Sequence, residues 1–315
     1  MKLSLFDTHS DTALELYNHK CPLDSNTAFH ISLDRAAVYE RYAQYYAIWS
    51  NRRLDDEACW QVFLAASDHF AAELERLGDK AVSVKCGADL DRAVREGKHA
   101  AILAVEDARL TAGKPERLEE LKARGVRYLT LLWGGDTCVG GSHNTQNGLT
   151  DYGKALARRC FALGIIPDVS HASEQSVDDL IPIARECGKP FIATHSNAHS
   201  LYGHTRNLRD RHFAVIKELG GIVGVSLCPS HLTDTSLRPA TAEDVFAHVD
   251  YYLSIGGENV VGFGADWDGT DLPEGFSGVN DLTQVAEIMA RHNYSDELIH
   301  KIYWKNFYDF AMRNL

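Results

Sequence analysis

Short apolar runs recur along the chain, and most of them are followed by a segment with helical periodicity. We predict eight strands from these runs, at Leu3–His9, Ala81–Cys86, Ala100–Glu106, Arg127–Trp133, Ile165–His171, Phe191–His195, Ile222–Cys228 and Val260–Asp266. Their near-continuous apolar character is typical of parallel strands that are buried on both faces. The alternation of strands and helices therefore predicts a parallel sheet.

Helix start and stop signals lie between the predicted strands. The clearest predicted helices are Glu174–Glu186, Leu208–Leu219 and a helix that begins after Thr241 and ends at Gly256. Ser173 stands where an N-cap residue is expected, and Thr241 with Asp244 has the spacing of a capping box. These signals indicate that the segments between the strands are crossover helices.

Eight strand–helix units predict an α/β fold of the (β/α)8 TIM-barrel type, formed as one domain by residues 1–315. An open, doubly wound sheet is the alternative, and the lack of a G-x-G-x-x-G motif after the first strand weakens it. The segment from Asn18 to Leu77 is predicted to be a mostly helical insertion after the first strand, with an exposed amphipathic helix over Asp68–Leu77.

Charge limits the possible binding partners, and cysteine usage together with the N-terminal sequence indicates the cellular location. Lys and Arg total 32 against 44 for Asp and Glu, which gives a net charge of −12 and argues against nucleic acid or an anionic membrane as a partner. The N-terminal sequence lacks the apolar stretch of a signal peptide. The seven cysteines are scattered and form no C-x-x-C pair. We therefore expect a cytoplasmic protein with free thiols.

Polar groups stand at the carboxyl ends of five predicted strands. These tips are Asp7-Thr8-His9-Ser10-Asp11, Glu106-Asp107, Asp168-Val169-Ser170-His171, Thr194-His195-Ser196 and Ala265-Asp266-Trp267-Asp268. Active sites of parallel α/β barrels are built from such tips. His9 and Asp11 are two residues apart, so both side chains point to the same side of an extended strand.

Taken singly, each of these residues is explained as well or better by an ordinary role at the barrel rim, but together they indicate a metal site. The predicted ligands are His9, Asp11, Glu106, His171 and His195. Imidazole and carboxylate suit Zn²⁺ and, less selectively, Mn²⁺, Fe²⁺ or Co²⁺. Five ligands exceed what one catalytic zinc uses, and a carboxylate bridge between two ions resolves the excess. We predict that Glu106 is this bridge, with His9 and Asp11 on one ion and His171 and His195 on the other.

These residues resemble the membrane (renal) dipeptidase family of zinc metallopeptidases, which belongs to the amidohydrolase superfamily. The resemblance runs in order along nearly the whole chain and is weakest between Asn18 and Leu77. Besides the metal-site tips, it is carried by Tyr128-Leu129-Thr130-Leu131, Thr194-His195-Ser196-Asn197-Ala198, His204-Thr205-Arg206-Asn207, Gly262-Phe263-Gly264-Ala265-Asp266-Trp267-Asp268-Gly269 and Lys301-Ile302-Tyr303-Trp304-Lys305-Asn306-Phe307.

The resemblance implies a barrel that holds two zinc ions and hydrolyses dipeptides, including L-Xaa-D-Xaa dipeptides, through a metal-bridging hydroxide. It implies the same metal ligands, with Glu106 in a catalytic bridging role. It also implies that Arg206 receives the substrate carboxylate and that Asp266 shuttles a proton to the leaving amine. Asp268 is expected to be structural, and dimers among family members make a homodimer an expectation by analogy.

The chain departs from the family pattern beside the metal site. Trp133 stands where several members have a histidine that polarises the scissile carbonyl, so Trp133 is expected to contact the substrate in a different way. His143 and His204 are candidates to replace that histidine. Asp107-Ala108 stands where members often have Gly-Gly after the bridging glutamate.

Two other functional classes stay open at this point. One is a related amidohydrolase activity on N-acyl amino acids or lactones, which the same metal site would support. The other is a catalytically silent barrel that serves as a binding module, against which the complete ligand set argues.

Overall fold

The computed structural model describes residues 2–315, which form eight strands and thirteen α-helices. The strands are β1 Leu5–Asp7, β2 Tyr42–Trp49, β3 Ala81–Ser83, β4 His99–Glu106, β5 Val126–Thr130, β6 Ile166–Asp168, β7 Val223–Val225 and β8 Val261–Phe263. The helices are α1 Thr12–His19, α2 Leu33–Ala36, α3 Asp56–Leu77, α4 Gly87–Arg95, α5 Arg117–Arg124, α6 Asp151–Leu163, α7 Glu174–Cys187, α8 Asp210–Glu218, α9 Pro229–Leu232, α10 Ala242–Ser254, α11 Thr283–Arg291, α12 Asp296–His300 and α13 Asn306–Asn314.

The paired strands are all parallel, and their order in the sheet is β6-β5-β4-β2-β1-β8-β7. Isolated bridges join Ile192 to Asp168 of β6 and Ala193 to Val223 of β7. Residues 191–194 therefore link the two edge strands and close a ring. Its eight positions, in order, are β1, β2, β4, β5, β6, residues 191–194, β7 and β8. The predicted α/β class with a parallel barrel is confirmed.

The second ring position is a strand that the sequence analysis missed. β2 lies inside the segment from Asn18 to Leu77, so the prediction of a mostly helical insertion there is not confirmed. The β2 sequence YAQYYAIW is buried along seven of its eight residues, so it lacks the polar alternation of a half-exposed strand. The predicted helix at Asp68–Leu77 is present as the second half of α3, with Phe70 and Leu74 buried on its inner face.

The predicted strand at Ala81–Cys86 is present as β3, but it lies outside the ring. It pairs with the first half of β4, at His99–Ala101, whereas β5 pairs with the second half, at Leu103–Glu106. The register between β4 and β5 shifts at Leu103. On this edge of β4, β5 rather than β3 therefore extends to the carboxyl end, where the polar tips lie.

The remaining predicted strands and helices agree with the structure apart from their boundaries. The predicted strand Phe191–His195 is reduced to the two bridges at Ile192 and Ala193. Ser173 caps α7 by accepting a hydrogen bond from the Ser176 N–H at 3.0 Å. Thr241 and Asp244 form the predicted capping box of α10.

Alternate residues along the strands pack into two separate apolar clusters. Ala43, Tyr45 and Ala47 of β2 belong to the cluster inside the ring, while Tyr42, Tyr46 and Ile48 face the surrounding helices. At the amino end of the ring, Trp304 and Phe307 close the inner cluster by packing against Phe6, with ring centroids 5.8 and 6.3 Å away. In residues 2–315 no helix is long and apolar enough to cross a membrane. With its amino end filled, the barrel is open to ligands at its carboxyl end.

A buried histidine ties together two loops at that end. His248 of α10 is fully buried; its Nδ1 accepts a hydrogen bond from the Ala198 N–H at 3.0 Å, and its Nε2–H donates to the Leu232 carbonyl oxygen at 3.0 Å. This pair of bonds requires a neutral imidazole, because Nδ1 must keep its lone pair. Burial lowers the pKa of His248 to about 4.

We expect His248 to make the protein less stable in mild acid. The unfolded chain binds a proton at His248 more readily than the folded protein does. The stabilisation by neutral His248 is therefore fully present above about pH 6.5 and is lost as the pH falls towards the folded-state pKa of about 4. The shift corresponds to about 3 kcal/mol. The pH dependence is measured by urea unfolding of the wild type and of His248→Gln. Glutamine keeps an amide donor and acceptor but cannot titrate. The stability gap between the two proteins should narrow on acidification, and a gap that does not change with pH would contradict this role.

Candidate active site

Six polar side chains converge at the carboxyl end of the ring, each carried by the tip of a ring segment. They are His9 and Asp11 after β1, Glu106 at the end of β4, His171 after β6, His195 after residues 191–194 and Asp266 after β8. His171 and Asp266 are partly exposed, and the other four are buried. The structure thus brings together the five predicted metal ligands and the predicted proton shuttle.

Glu106 lies at the centre of this group. Its Oε1 is 2.9 Å from His171 Nε2 and 3.3 Å from His195 Nε2, and its Oε2 is 3.7 Å from His9 Nε2. Asp11 Oδ2 is also 3.7 Å from His9 Nε2. Two potential ligand groups result, His9–Asp11–Glu106 and Glu106–His171–His195, each with its ligand atoms within 4.8 Å of one another. The two groups share Glu106.

Hydrogen bonds behind the cluster orient two of the imidazole rings. Thr194 Oγ1 lies 2.7 Å from Asp168 Oδ2 and 2.8 Å from His195 Nδ1. Because the threonine hydroxyl donates to the carboxylate, it accepts from Nδ1–H, and His195 Nε2 keeps its lone pair. His9 Nδ1 lies 2.9 Å from the Tyr128 hydroxyl, which leaves His9 Nε2 to face Glu106.

Burial controls the protonation of this cluster. It raises the pKa of Glu106 to about 8 and holds the pKa values of His171 and His195 well below their usual value. Burial also lowers the pKa of His9, but the neighbouring charge of Glu106 and hydrogen bonding to the acids raise it well above its usual value. Two of the three imidazoles are therefore held neutral, which is the form that binds metal ions.

Asp266 lies beside His9 and is held in an unusual backbone conformation. Its Oδ1 is 3.7 Å from His9 Nε2, and together with His9 and His195 it forms a third potential ligand group. Burial raises the pKa of Asp266 to about 6. Asp266 has a φ of 67°, and His171 has a φ of 70°, in the left-handed region that non-glycine residues rarely adopt. Such conformations cluster at functional sites.

The backbone at Gly269 packs directly on two of the acids. A Cβ at this position would lie 2.1 Å from Asp11 Oδ2 and 2.6 Å from Asp266 Oδ1. Any side chain here would therefore displace both carboxylates. Asp268, by contrast, uses both of its oxygens within the fold, accepting from the Thr12 hydroxyl at 2.6 Å and the His30 N–H at 2.6 Å.

The guanidinium group of Arg206 is buried at the edge of the cluster. Its NH1 donates to Ser196 Oγ at 3.4 Å, while its Nε and NH2 have no hydrogen-bond partner within residues 2–315. Burial lowers the pKa of Arg206, although Asp266 and Glu106 oppose this effect. A buried cation with unused donors is costly unless an anion binds beside it.

A cavity of about 440 Å³ lies above the cluster and includes Arg206 in its wall. Trp133 lines this cavity with its ring centroid 5.7 Å from that of His171. His143 lines it as well, 5.9 Å from His171 by ring centroids, and burial lowers its pKa to about 4. His204 contacts the Arg206 backbone, whose N–H donates to His204 Nδ1 at 3.2 Å. Of the two candidate replacement histidines, His143 is the one on the cavity wall.

Other cavity residues were not predicted from the sequence. They include Trp49, Arg52, Cys228 and His231. Trp49 ends the strand that was missed and Arg52 lies in the turn after it, so no strand tip was expected there. Cys228 ends a predicted strand, but an apolar thiol carries no metal or acid–base signal of its own, and His231 lies beyond the predicted strand in a short helix.

The donor set fits divalent cations. Two polar atoms of the cluster, His9 Nε2 and Asp11 Oδ1, are buried and have no hydrogen-bond partner within residues 2–315. Leaving such atoms unpaired is costly, and a bound cation would satisfy them. Nitrogen and carboxylate donors in groups of three are typical of catalytic zinc sites and of related transition metals.

Comparison with known proteins shows the family of this chain. Residues 1–310 match the model of the family described as membrane dipeptidase, peptidase family M19. An uncharacterised Klebsiella pneumoniae protein from the pqqA 5′ region is 32% identical over 231 residues, which cover 70% of this chain and 84% of that protein.

Two solved metallopeptidases share the fold over their whole length. The dipeptidase AC of family M19 has a TM-score of 0.91 and 28% identity, with 100% of this chain and 99% of that chain covered. A metallopeptidase from Rhodobacter sphaeroides, solved with a phosphinate mimic of the dipeptide L-Ala-D-Ala, has a TM-score of 0.91 and 27% identity, with 100% of both chains covered. This chain belongs to the membrane dipeptidase family, peptidase family M19, and is a hydrolase that acts on peptide bonds.

Proposed function

We propose that this chain is a two-metal dipeptidase that cleaves short substrates with a free C-terminal carboxylate. The observation that carries the proposal is the position of Glu106, which is shared by two groups of potential ligands. One ion would be held by His9, Asp11 and Glu106, and the other by Glu106, His171 and His195. Zinc is the expected metal, with Mn²⁺, Co²⁺ or Fe²⁺ as substitutes. When bound, two such ions polarise the scissile carbonyl and activate water near neutral pH.

Arg206 is proposed to bind the C-terminal carboxylate of the substrate. Its unused Nε and NH2 donors form the edge of a guanidinium that can bind a carboxylate through two parallel hydrogen bonds. Because the group is buried and lines the cavity, little water competes for it. This single anchor at a fixed distance from the metal ligands favours short substrates.

Asp266 is proposed to transfer a proton to the departing amine. It is mostly buried, lines the cavity and stands beside His9, and its raised pKa suits a group that takes up and releases a proton. The Gly269 backbone holds it next to Asp11. In this role Asp266 remains free of the metals, although its distance from His9 would also allow it to bind one.

Trp133 and His143 are proposed to line the space around the scissile carbonyl. The indole N–H of Trp133 can donate one hydrogen bond but carries no charge. In the tautomer whose Nδ1 accepts from the Thr205 hydroxyl at 3.3 Å, His143 has its Nε2–H available as a donor. The chain would then take the polarising donor from position 143, further along the segment after β5, rather than from position 133.

Dipeptides of the L-Xaa-D-Xaa type are proposed as substrates, supported by the L-Ala-D-Ala mimic bound to the Rhodobacter sphaeroides relative. A panel of L-Ala-D-Ala, L-Ala-L-Ala, N-acetyl-L-Ala-D-Ala and L-Ala-D-Ala amide tests this, with metal content measured on the same sample. We expect turnover of the free dipeptides, loss of turnover on chelation, recovery with zinc, and about two metal ions per chain.

The same panel shows how this proposal could fail. Two bound metals without cleavage of any dipeptide would contradict the substrate assignment and move the search to N-acyl amino acids or lactones. One metal per chain at full activity would contradict the bridging role of Glu106.

Replacing Arg206 tests the carboxylate anchor. We expect Arg206→Met to raise the KM for L-Ala-D-Ala by about 10- to 100-fold, because a charge-assisted pair is lost. The KM for the corresponding amide, which has no carboxylate, should change far less. Equal effects on the two substrates, measured by steady-state kinetics, would rule out this role.

Replacing Asp266 separates a proton-transfer role from a metal-ligand role. We expect Asp266→Asn to lower kcat by about 10²- to 10⁴-fold while the protein keeps both metals. Metal analysis of the purified variant, together with kcat, distinguishes the two. Loss of one metal along with activity would identify Asp266 as a ligand instead.

A further inference from the structure

A second arginine lines the active-site cavity, and it comes from the opposite position of the ring to Arg206. Arg52 is in the turn after β2, the second ring position, while Arg206 follows residues 191–194, the sixth. In a ring of eight, these positions face each other across the barrel axis. Both side chains contribute to the same cavity wall, with the metal-ligand cluster below them.

The turn that carries Arg52 is anchored to the metal site. Arg109 NH2 donates to the carbonyl oxygens of Asn51, at 3.2 Å, and of Leu54, which bracket the turn. The Ser50 N–H donates to the Glu106 carbonyl oxygen at 2.9 Å. The backbone of Arg52 is therefore fixed relative to Glu106.

The guanidinium of Arg52 lies against the tip of β5. Its Cζ is 5.9 Å from the centroid of the Trp133 ring. Its NH1 and NH2 are each 3.0 Å from the points where a Cβ would stand at Gly134 and Gly135. Because Gly134 and Gly135 have no side chains, there is room for the Arg52 guanidinium to lie along their backbone. Trp49, whose ring centroid is 4.9 Å from that of Trp133, extends this wall.

This guanidinium has no acidic partner within residues 2–315. The nearby acids Asp56 and Asp107 lie 3.6 and 4.0 Å from Arg109 nitrogens, so they face Arg109 instead. Glu15, which also lines the cavity, has its carboxylate 3.2 Å from His19 Nε2. The exposed charge of Arg52 is therefore available to a ligand.

We propose that Arg52 binds an acidic side chain on the N-terminal residue of the substrate, so that the enzyme prefers dipeptides that begin with glutamate. This inference rests on the proposed function. With the C-terminal carboxylate on Arg206 and the scissile carbonyl at the metal ligands, the N-terminal residue extends towards the opposite side of the ring. Its methylene groups pack on Trp133 and Trp49, and its carboxylate meets the Arg52 guanidinium in a two-bond pair.

The experiment compares L-Glu-Ala, L-Gln-Ala and L-Lys-Ala on the metal-loaded enzyme, with the alanine in whichever configuration is cleaved faster. Glutamate and glutamine have the same shape, so their ratio of kcat/KM reports charge alone. We expect glutamate to be favoured over glutamine by about three- to tenfold, and lysine to be the poorest. The ratio should fall in high salt, because the pair is partly exposed.

Two variants in the same turn distinguish direct contact with the substrate side chain from a general effect of positive charge. Arg52→Gln should bring the glutamate-to-glutamine ratio close to one. Arg53→Gln removes the same charge from the next residue, which is exposed and does not line the cavity, and should leave the ratio unchanged. A wild-type ratio near one, or equal loss of preference in both variants, would overturn the proposal.

Binding measurements keep this test separate from the proposed function. The same dipeptides are titrated by calorimetry into metal-loaded Asp266→Asn protein, with and without Arg52→Gln. A Kd preference for glutamate that depends on Arg52, without turnover of any dipeptide by the wild type, would support the subsite and contradict the peptidase assignment. Equal Kd values for the glutamate and glutamine dipeptides would overturn the subsite whatever the turnover.

Discussion

The Glu106 carboxylate stands among three imidazole rings, with one oxygen 2.9 Å from His171 Nε2 and 3.3 Å from His195 Nε2 and the other 3.7 Å from His9 Nε2. It ends β4, a strand that is buried along all eight residues, so the carboxylate cannot turn out to solvent. An ionised acid in such a place is stable only beside compensating cations. The rest of the site follows from this constraint, since the other ring tips that carry potential metal ligands are arranged around the two oxygens of Glu106.

The fold stabilises this arrangement with acids that lie outside the groups of potential metal ligands. Asp7 accepts hydrogen bonds from the His9 and Ala265 N–H groups, each at 3.0 Å, and so joins the tips of β1 and β8. Asp168 does the same for the Ser170 and Thr194 N–H groups, at 3.0 and 2.9 Å. Left-handed residues at the tips cost on the order of 1–3 kcal/mol each, and they persist only where such bonds over-determine the backbone. The hydrogen bonds of Asp7 and Asp168 and the strained backbone at the tips thus both contribute to fixing the positions of the side chains in the site.

Much of the site could be predicted from the sequence because a ligand at a strand tip leaves a local signal, an apolar run followed by His, Asp or Glu. His9, Glu106 and His195 all have this form. The second ring strand, β2, could not be found this way. It is buried on both faces and lies between helical segments, so its aromatic residues show neither the two-residue period of a strand nor the 3.6-residue period of a helix clearly. With β2 missed, Trp49 and Arg52 could not be placed on the cavity wall. The bridges at Ile192 and Ala193 also depend on ring closure, a long-range property that no local pattern contains.

Two guanidinium groups in the cavity have no carboxylate partner, although the whole chain and the cavity wall are both rich in acids. The protein has a net charge of −12, yet its active-site cavity includes the guanidinium groups of Arg52 and Arg206, which no carboxylate pairs in the part of the chain from residue 2 to residue 315. The same wall carries five carboxylates, so an anionic group is attracted by the two guanidinium groups locally and not by the net charge of the cavity. One guanidinium is buried and the other is exposed. In the proposed roles, Arg206 would therefore provide affinity that salt screens weakly, whereas Arg52 would discriminate between side chains in a way that depends on ionic strength.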